Sequence, residues 1–240
     1  MKITILTLFP EMFDSFQSSS IIKKAILNSM VEIEVVNYRD FTADKHQRVD
    51  DYPYGGPQGM VLMCQPIVSA LENVKTADST TILITPKGST FKQHDARMLA
   101  KLKHLILVCG HYEGFDERIR KYVDIEISLG DFIMTGGEIG ALAISDAVIR
   151  LLDGVIKLES HQDESFEEGL LEYPQYTRPI DFNGDLVPEV LISGHHEKIR
   201  QWRLKHSLKE TYKRRPDLLL NRLFSEEEKK LLQEIETESK

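Results

Sequence analysis

HLILVCGHYEGFDER, residues 104–118, decides the fold class. After His104 come five consecutive apolar positions, Leu105 to Cys109, and then a glycine-punctuated turn. A run this short and this uniformly apolar reads as a strand covered on both faces, the habit of a parallel sheet. Outward from it, strand and helix patterns alternate. Val123–Ser128 reads as the next strand, with a short helix at Asp116–Tyr122 before it. Gly136–Leu152 reads as a long helix with small apolar residues in its first half. Upstream, Thr80–Thr85 reads as a strand between helices at Pro66–Thr76 and Lys92–Lys101. Lys2–Phe9 and Val31–Asn37 read as strands flanking a helix at Ser18–Met30. This alternation predicts an α/β domain with a mostly parallel sheet.

Beyond Asp153 the periodicity stops. Gly154–Arg178 is acidic and irregular, as in a linker or lid, and the rest reads as helical. Pro188 stands near the start of a helix at Glu189, a second helix runs from His195 to Arg214, and Pro216 starts a third segment. Ser225 and Glu228 have capping-box spacing ahead of a last helix.

Composition narrows the function classes. The chain has 240 residues, 41% hydrophobic and 28% charged, which excludes a disordered or low-complexity chain. No apolar run is long enough to span a bilayer, and the N-terminal MKITILTLFPEMF reads as a first strand, not a signal peptide. Cys64 and Cys109 are the only cysteines, so a disulfide framework and a cysteine-based zinc site are excluded and a cytoplasmic location is expected. The net charge of −8 argues against indiscriminate coating of nucleic acid. Lys198–Arg215 departs from that average, with eight Lys/Arg against one acid, Glu210. Such asymmetry points to a phosphate-bearing partner meeting one part of the molecule.

Glycines cluster where strands should end: YGGPQG (54–59), TPKG (85–88), GHYEG (110–114) and SLGDFIMTGGE (128–138). Each alone could be only a turn. Three of them follow strands, so their loops should meet at one sheet edge, where open α/β sheets bind ligands. The patterns GxGxxG, GxxxxGK[ST], HExxH and GxSxG are absent, removing the main support for dinucleotide, P-loop, zincin and α/β-hydrolase readings. His195-His196-Glu197 lacks a spaced third ligand, so a solvated helix start is expected and no metal ligand is assigned. Arg150 falls near the end of the long helix, where a cation complements the dipole. Asp163 and Glu164 fall in the acidic segment, followed by Tyr173, Tyr176 and Arg178, residue types suited to stacking on bases and gripping phosphates.

The segments GHYEGFDER (110–118), SLGDFIMTGGE (128–138), GLLEYPQYTRP (169–179), VPEVLISGHH (187–196) and DDYPYGGPQGMV (50–61) closely resemble the bacterial tRNA (guanine-N1)-methyltransferase family, in the family's order and nearly end to end. The resemblance implies a SPOUT-type α/β fold with a deep trefoil knot, over 1–160. It implies an interdomain linker or lid at 161–178 and a small all-helical tRNA-binding domain at 179–240. It also implies homodimers with the active site at the subunit interface, no membrane, and methyl transfer from S-adenosylmethionine to N1 of the guanosine at tRNA position 37, with magnesium possible. The donor pocket then takes Leu83, Ile84, Thr85 and Pro86; Gly110, Tyr112 and Glu113; and Ser128, Leu129, Gly130, Asp131, Phe132, Ile133, Met134, Gly136 and Gly137. Arg150 matches the family's charge-stabilising arginine. The family's base is the aspartate of an Asp-Ser-Phe motif, which reads Glu164-Ser165-Phe166 here, so Glu164 or its neighbour Asp163 takes that role. Gly140 stands where many members have proline, and Ile84 where leucine is common.

Overall fold

The structure is a computed structural model and describes residues 1–56, 59–156, 164–167, 169–220 and 222–238. The chain divides into two compact units, Met1–Lys157 and Leu158–Lys240.

The first unit is built on a five-stranded sheet of β1 (Lys2–Thr7), β2 (Glu32–Asn37), β5 (Ser79–Thr90), β6 (His104–Cys109) and β7 (Ile125–Ser128). The order is β2-β1-β6-β5-β7 and every pairing is parallel. Parallel neighbours need crossovers. These are supplied by α1 (Asp14–Ser18) and α2 (Ser20–Leu27), α3 (Cys64–Val74) and α4 (Gln93–Leu99), while α5 (Glu138–Ile149) follows the last strand and packs on the sheet. All six residues of β6 are buried, because helices cover both faces of the sheet. Alternate residues supply two cores. Ile3, Ile5, Ile82, Leu105 and Leu107 pack with Ile22, Ala96, Ile144 and Val148 on one face. Leu6, Leu83, Ile106 and Val108 pack with Tyr38, Ile67 and Leu71 on the other. A short antiparallel ribbon of β3 (Asp50–Asp51) and β4 (Val61–Leu62) joins the second face.

β5 outruns its predicted end at Thr85. It pairs with β7 twice, Ile84 and Ser89 both falling opposite Ile127, so Thr85–Gly88 bows out between two stretches of ladder. Pro86 has no N–H to give the ladder. A Cβ on Gly88 would lie 2.4 Å from the Ile127 backbone nitrogen, so only glycine fits the return. The segment predicted as a short helix at 116–122 is a 3-10 helix, Glu117–Tyr122.

The second unit is not all-helical, as the resemblance had implied. It contains a hairpin of β8 (Asp181–Phe182) and β9 (Asp185–Leu186), turned at Asn183-Gly184 with both residues at positive φ. α6 (Glu189–Ile192), α7 (His196–Arg214) and α8 (Glu226–Glu238) follow. Leu170, Leu208 and Ile235 form a small buried core with Leu204, Leu219, Phe224, Leu231 and Leu232 around it. The predicted capping box of α8 is present. The Ser225 N–H donates to Glu228 at 2.8 Å, and the Glu228 N–H donates to Ser225 Oγ at 3.2 Å. Burial works against ionisation of Glu228, but Arg222 at 2.7 Å and the cap hold its carboxyl below the usual range. Among the described residues, no helix is long and apolar enough to cross a membrane.

Candidate active site

The bulge of β5 at Thr85–Gly88 and the loops after its two sheet neighbours, β6 and β7, enclose a cavity of about 340 Å³ in the first unit. Its wall is made of Leu83 to Lys87 from β5, Gly110 to Glu117 after β6, and Ser128 to Gly137 apart from Asp131 after β7, with Arg120 at the edge. All the positions assigned to the donor pocket lie on this wall except Asp131. The residues passed over by sequence reasoning include Lys87, His111, Phe115, Asp116, Glu117, Arg120 and Thr135. Most belong to the motifs already quoted, and only pairing between distant loops brings them to the cavity.

Backbone bonds hold the loops. Gly137 N–H donates to Gly110 O at 2.8 Å, and His111 bridges Gly136. Ser128 Oγ is 3.1 Å from Gly130 O and 3.2 Å from Gly130 N. The β4 segment is stitched to the middle loop by Glu113 N–H to Met60 O at 3.0 Å, Leu62 N–H to Gly114 O at 2.9 Å and Asp116 N–H to Leu62 O at 2.9 Å. Residues 57 and 58 of the first glycine cluster lie outside the described residues. The cavity floor is apolar, with Leu83 and Ile84 buried, while Phe132 and Ile133 at its mouth are exposed. Charge sits at the rim, where Arg120 pairs with Glu117 at 3.0 Å and with Glu126 at 3.1 Å.

Beneath the loops, Glu138 at the start of α5 is only 3% exposed and accepts a hydrogen bond from Thr7 Oγ1 at 2.9 Å. Periodicity gives no signal for this carboxylate, because it lies in the first turn of a helix, where acids are ordinary. Tyr38 OH reaches Cys109 O at 3.4 Å. Burial, reinforced by Glu138, pushes the Cys109 thiol well up, so it stays protonated and is no nucleophile.

The charged candidates lie elsewhere. Arg150 caps the C-terminus of α5 in the first unit and is not on the cavity wall. Glu164 belongs to the second unit, where it lines a separate cavity of about 490 Å³ with Tyr173, His196, Arg200 and Arg203. Asp163 lies outside the described residues. His195 and His196 are exposed at the start of α7. Residues 164–167 and 169–173 of the segment read as a linker are built into the second unit, with Leu170 in its core.

α7 carries the basic run, and much of it is already paired. Arg200 contacts Glu227 at 2.7 Å and Glu197 at 2.8 Å. Lys205 contacts Glu234 and Glu238, both at 2.9 Å, and Lys209 contacts Glu238 at 3.2 Å. The Arg203 guanidinium lies 4.8 Å from the centre of the Tyr173 ring. On the same helix Trp202 stacks on His206 at 4.0 Å and faces Tyr176 at 6.3 Å.

A family model described as tRNA (Guanine-1)-methyltransferase TrmD matches residues 1–221. Curated relatives named tRNA (guanine-N(1)-)-methyltransferase match nearly the whole chain. The protein of Clostridium botulinum (strain Eklund 17B / Type B) is 56% identical over 234 residues, 97% of this chain and 98% of its own length. That of Halalkalibacterium halodurans is 55% identical over 240 residues, covering 98% of each. That of Spiroplasma kunkelii is 50% identical over 238 residues, 99% of this chain and 89% of its own. The strand-end cavity, the motifs on its wall and these matches agree: the chain belongs to the tRNA (guanine-1)-methyltransferase family.

Proposed function

We propose that this protein transfers a methyl group from S-adenosylmethionine to N1 of the guanosine at position 37 of tRNA. The observation that carries the reading is the convergence of the β5 bulge and two strand-end loops on one apolar cavity, at a size ordinary for small-molecule sites. Its fit to the donor rests on the lining: aliphatic floor residues for an adenosyl group, and loop backbone for its polar edges. Leu83, Ile84, Leu129 and Met134 would hold the adenosyl part, with Gly110, Tyr112 and Ser128 to Gly130 around it. When bound, S-adenosylmethionine supplies a methyl group on a sulfonium, with a neutral thioether as leaving group.

The chain's own task is to make N1 nucleophilic. Guanine N1 holds a proton at neutral pH, and its loss moves negative charge toward O6. Glu164 accepts that proton, and the Arg150 guanidinium stabilises the charge at O6. Both must be held close to the reacting atoms, which makes orientation a large part of the acceleration. A methyl group on N1 blocks the Watson–Crick edge of the base beside the anticodon, consistent with a role in keeping the reading frame. Among the described residues, no three His, Cys, Asp or Glu side chains gather where a metal ion could be held, so no step is assigned to magnesium.

Three finer features belong to the same reading. A deep trefoil knot in the first unit is part of the fold that the family resemblance implies. A homodimer with the active site at the subunit interface is the assembly that the family resemblance implies. Tyr176, Trp202 and the basic face of α7 support the second unit as the tRNA-binding domain.

The test is methyl transfer from labelled donor to two tRNA transcripts with guanosine or adenosine at position 37. Label is expected only in the guanosine transcript, and Arg150→Ala should abolish it while donor binding persists. Efficient labelling of the adenosine transcript would sink the assignment.

A further inference from the structure

The turn that carries Glu164 is closed on itself and hydrogen-bonded to the interior of α7 through Thr211. Phe166 N–H donates to Leu170 O at 2.7 Å, and Glu167 N–H donates to Glu164 O at 3.2 Å. The neck is shut by Glu172 N–H donating to Ser165 Oγ at 2.9 Å. Next to the neck, Leu171 N–H donates to Thr211 Oγ1 at 2.8 Å. Thr211 lies inside α7 and is fully buried, and its hydroxyl donates to Ser207 O at 2.7 Å. A helical threonine commonly satisfies its own proton this way and leaves its acceptor lone pairs to water. Here no water reaches it, and the acceptor is used by the turn. Leu170, only 7% exposed, anchors the same strand of the neck among Leu208 and Ile235. The path from Thr211 to the carboxylate is short: one hydrogen bond to Leu171, one residue to Glu172, one hydrogen bond to Ser165, and then Glu164.

We propose that Thr211 is a positioning residue for the methyl-transfer reaction, fixing through Leu171 and the Ser165–Glu172 neck where the Glu164 carboxylate stands. The inference rests on Glu164 being the base. It explains why a buried hydroxyl sits in the apolar seam of α7, where valine would pack equally well and leave Leu171 N–H without a partner. Because α7 also bears the basic run, one helix sets the base and presents its cations together.

The test uses the full-length protein, saturating donor and the guanosine-37 transcript, comparing Thr211→Val, Thr211→Ser, Glu164→Gln and Leu232→Ala. The last thins the same core from α8 and leaves the hydrogen bonds of the turn in place. Thr211→Val should lower kcat by about 10- to 100-fold and leave the KM for RNA within about twofold, as expected for a misplaced catalytic group. Thr211→Ser should restore turnover. The deficits of Thr211→Val and Glu164→Gln should both shrink at alkaline pH, where guanine N1 sheds its proton unaided, whereas a general structural defect would not respond. Wild-type turnover by Thr211→Val beside an inactive Glu164→Gln would overturn the positioning role and leave the base in place. An equal loss in Leu232→Ala, without alkaline rescue in Thr211→Val, would also overturn it. Wild-type turnover by Glu164→Gln would remove both.

Discussion

His104 shows how far a single side chain can be read once its partners are known. It is 4% exposed at the start of β6, with Nε2 2.9 Å from Thr4 Oγ1 and Nδ1 3.2 Å from Thr76 Oγ1. The Thr4 hydroxyl donates to Glu34 Oε2 at 3.0 Å, so it can only accept from the ring. The neutral imidazole therefore carries its proton on Nε2, and Thr76 donates to Nδ1. Burial and then the nearby Lys2 ammonium hold the His104 pKa below its ordinary value, despite the pull of Glu34 and Glu32. The unfolded chain thus binds a proton at about pH 6.5 that the folded chain still refuses, and stability is lost as pH falls below that point. His206 is shifted the same way, by burial and then by Lys209. The urea midpoint should fall between about pH 6.5 and pH 5, above the range where Glu34 contributes, and fall less in His104→Gln. An identical slope in the variant would exclude His104 as its source.

At the scale of elements, the packing of α5 on β5 couples Gly140 to Ile84. A Cβ on Gly140 would lie 2.7 Å from Ile84 Cγ2, the branch that leucine lacks. The isoleucine fills the space that the glycine leaves open. Gly140→Ala, ordinarily favourable in a helix, should here cost about 1–3 kcal/mol through overpacking. Ile84→Leu should cost less than about 1.5 kcal/mol. Together they should cost less than their sum, with a coupling of about 0.5–3 kcal/mol in a denaturation cycle. Strict additivity would show that the two sites do not share this contact. The same scale marks what the sequence could tell. The HLILVC strand and the Ser225–Glu228 cap were legible because their signals are local. The Asn183-Gly184 hairpin was also written locally, but in strands of two residues that give no alternation. The second half of β5 was hidden because Gly88 looks like an end and becomes a return only against the backbone of Ile127. In the site, glycines marked the loops. The burial of Glu138 and the separation of Arg150 and Glu164 between two units depend on how distant segments pack.

The molecule as a whole is acidic, yet it offers a basic helix to a polyanion, and α8 moderates that offer. Lys205 and Lys209 of α7 already hold the carboxylates of Glu234 and Glu238, whereas Lys198 and Lys213 have no carboxylate partner among the described residues. Phosphates approaching the first pair must displace protein acids before they release counterions. Neutralising the acids as Glu227→Gln, Glu234→Gln and Glu238→Gln should tighten RNA binding at low salt. It should also steepen the dependence of log Kd on log salt by about 0.7–0.9 for each cation freed. An unchanged slope would mean that RNA never meets this face. The same helix has a second consequence. The family match ends at residue 221, and α8 begins at Glu226. A chain cut between them would keep every quoted motif, the whole donor cavity and all of α7. It would lose Ile235, uncover Leu170 and Leu208, and take the floor from under the turn that bears Glu164. The thirteen residues of α8, which carry none of the recognisable motifs, are in that sense the support of the turn that bears Glu164.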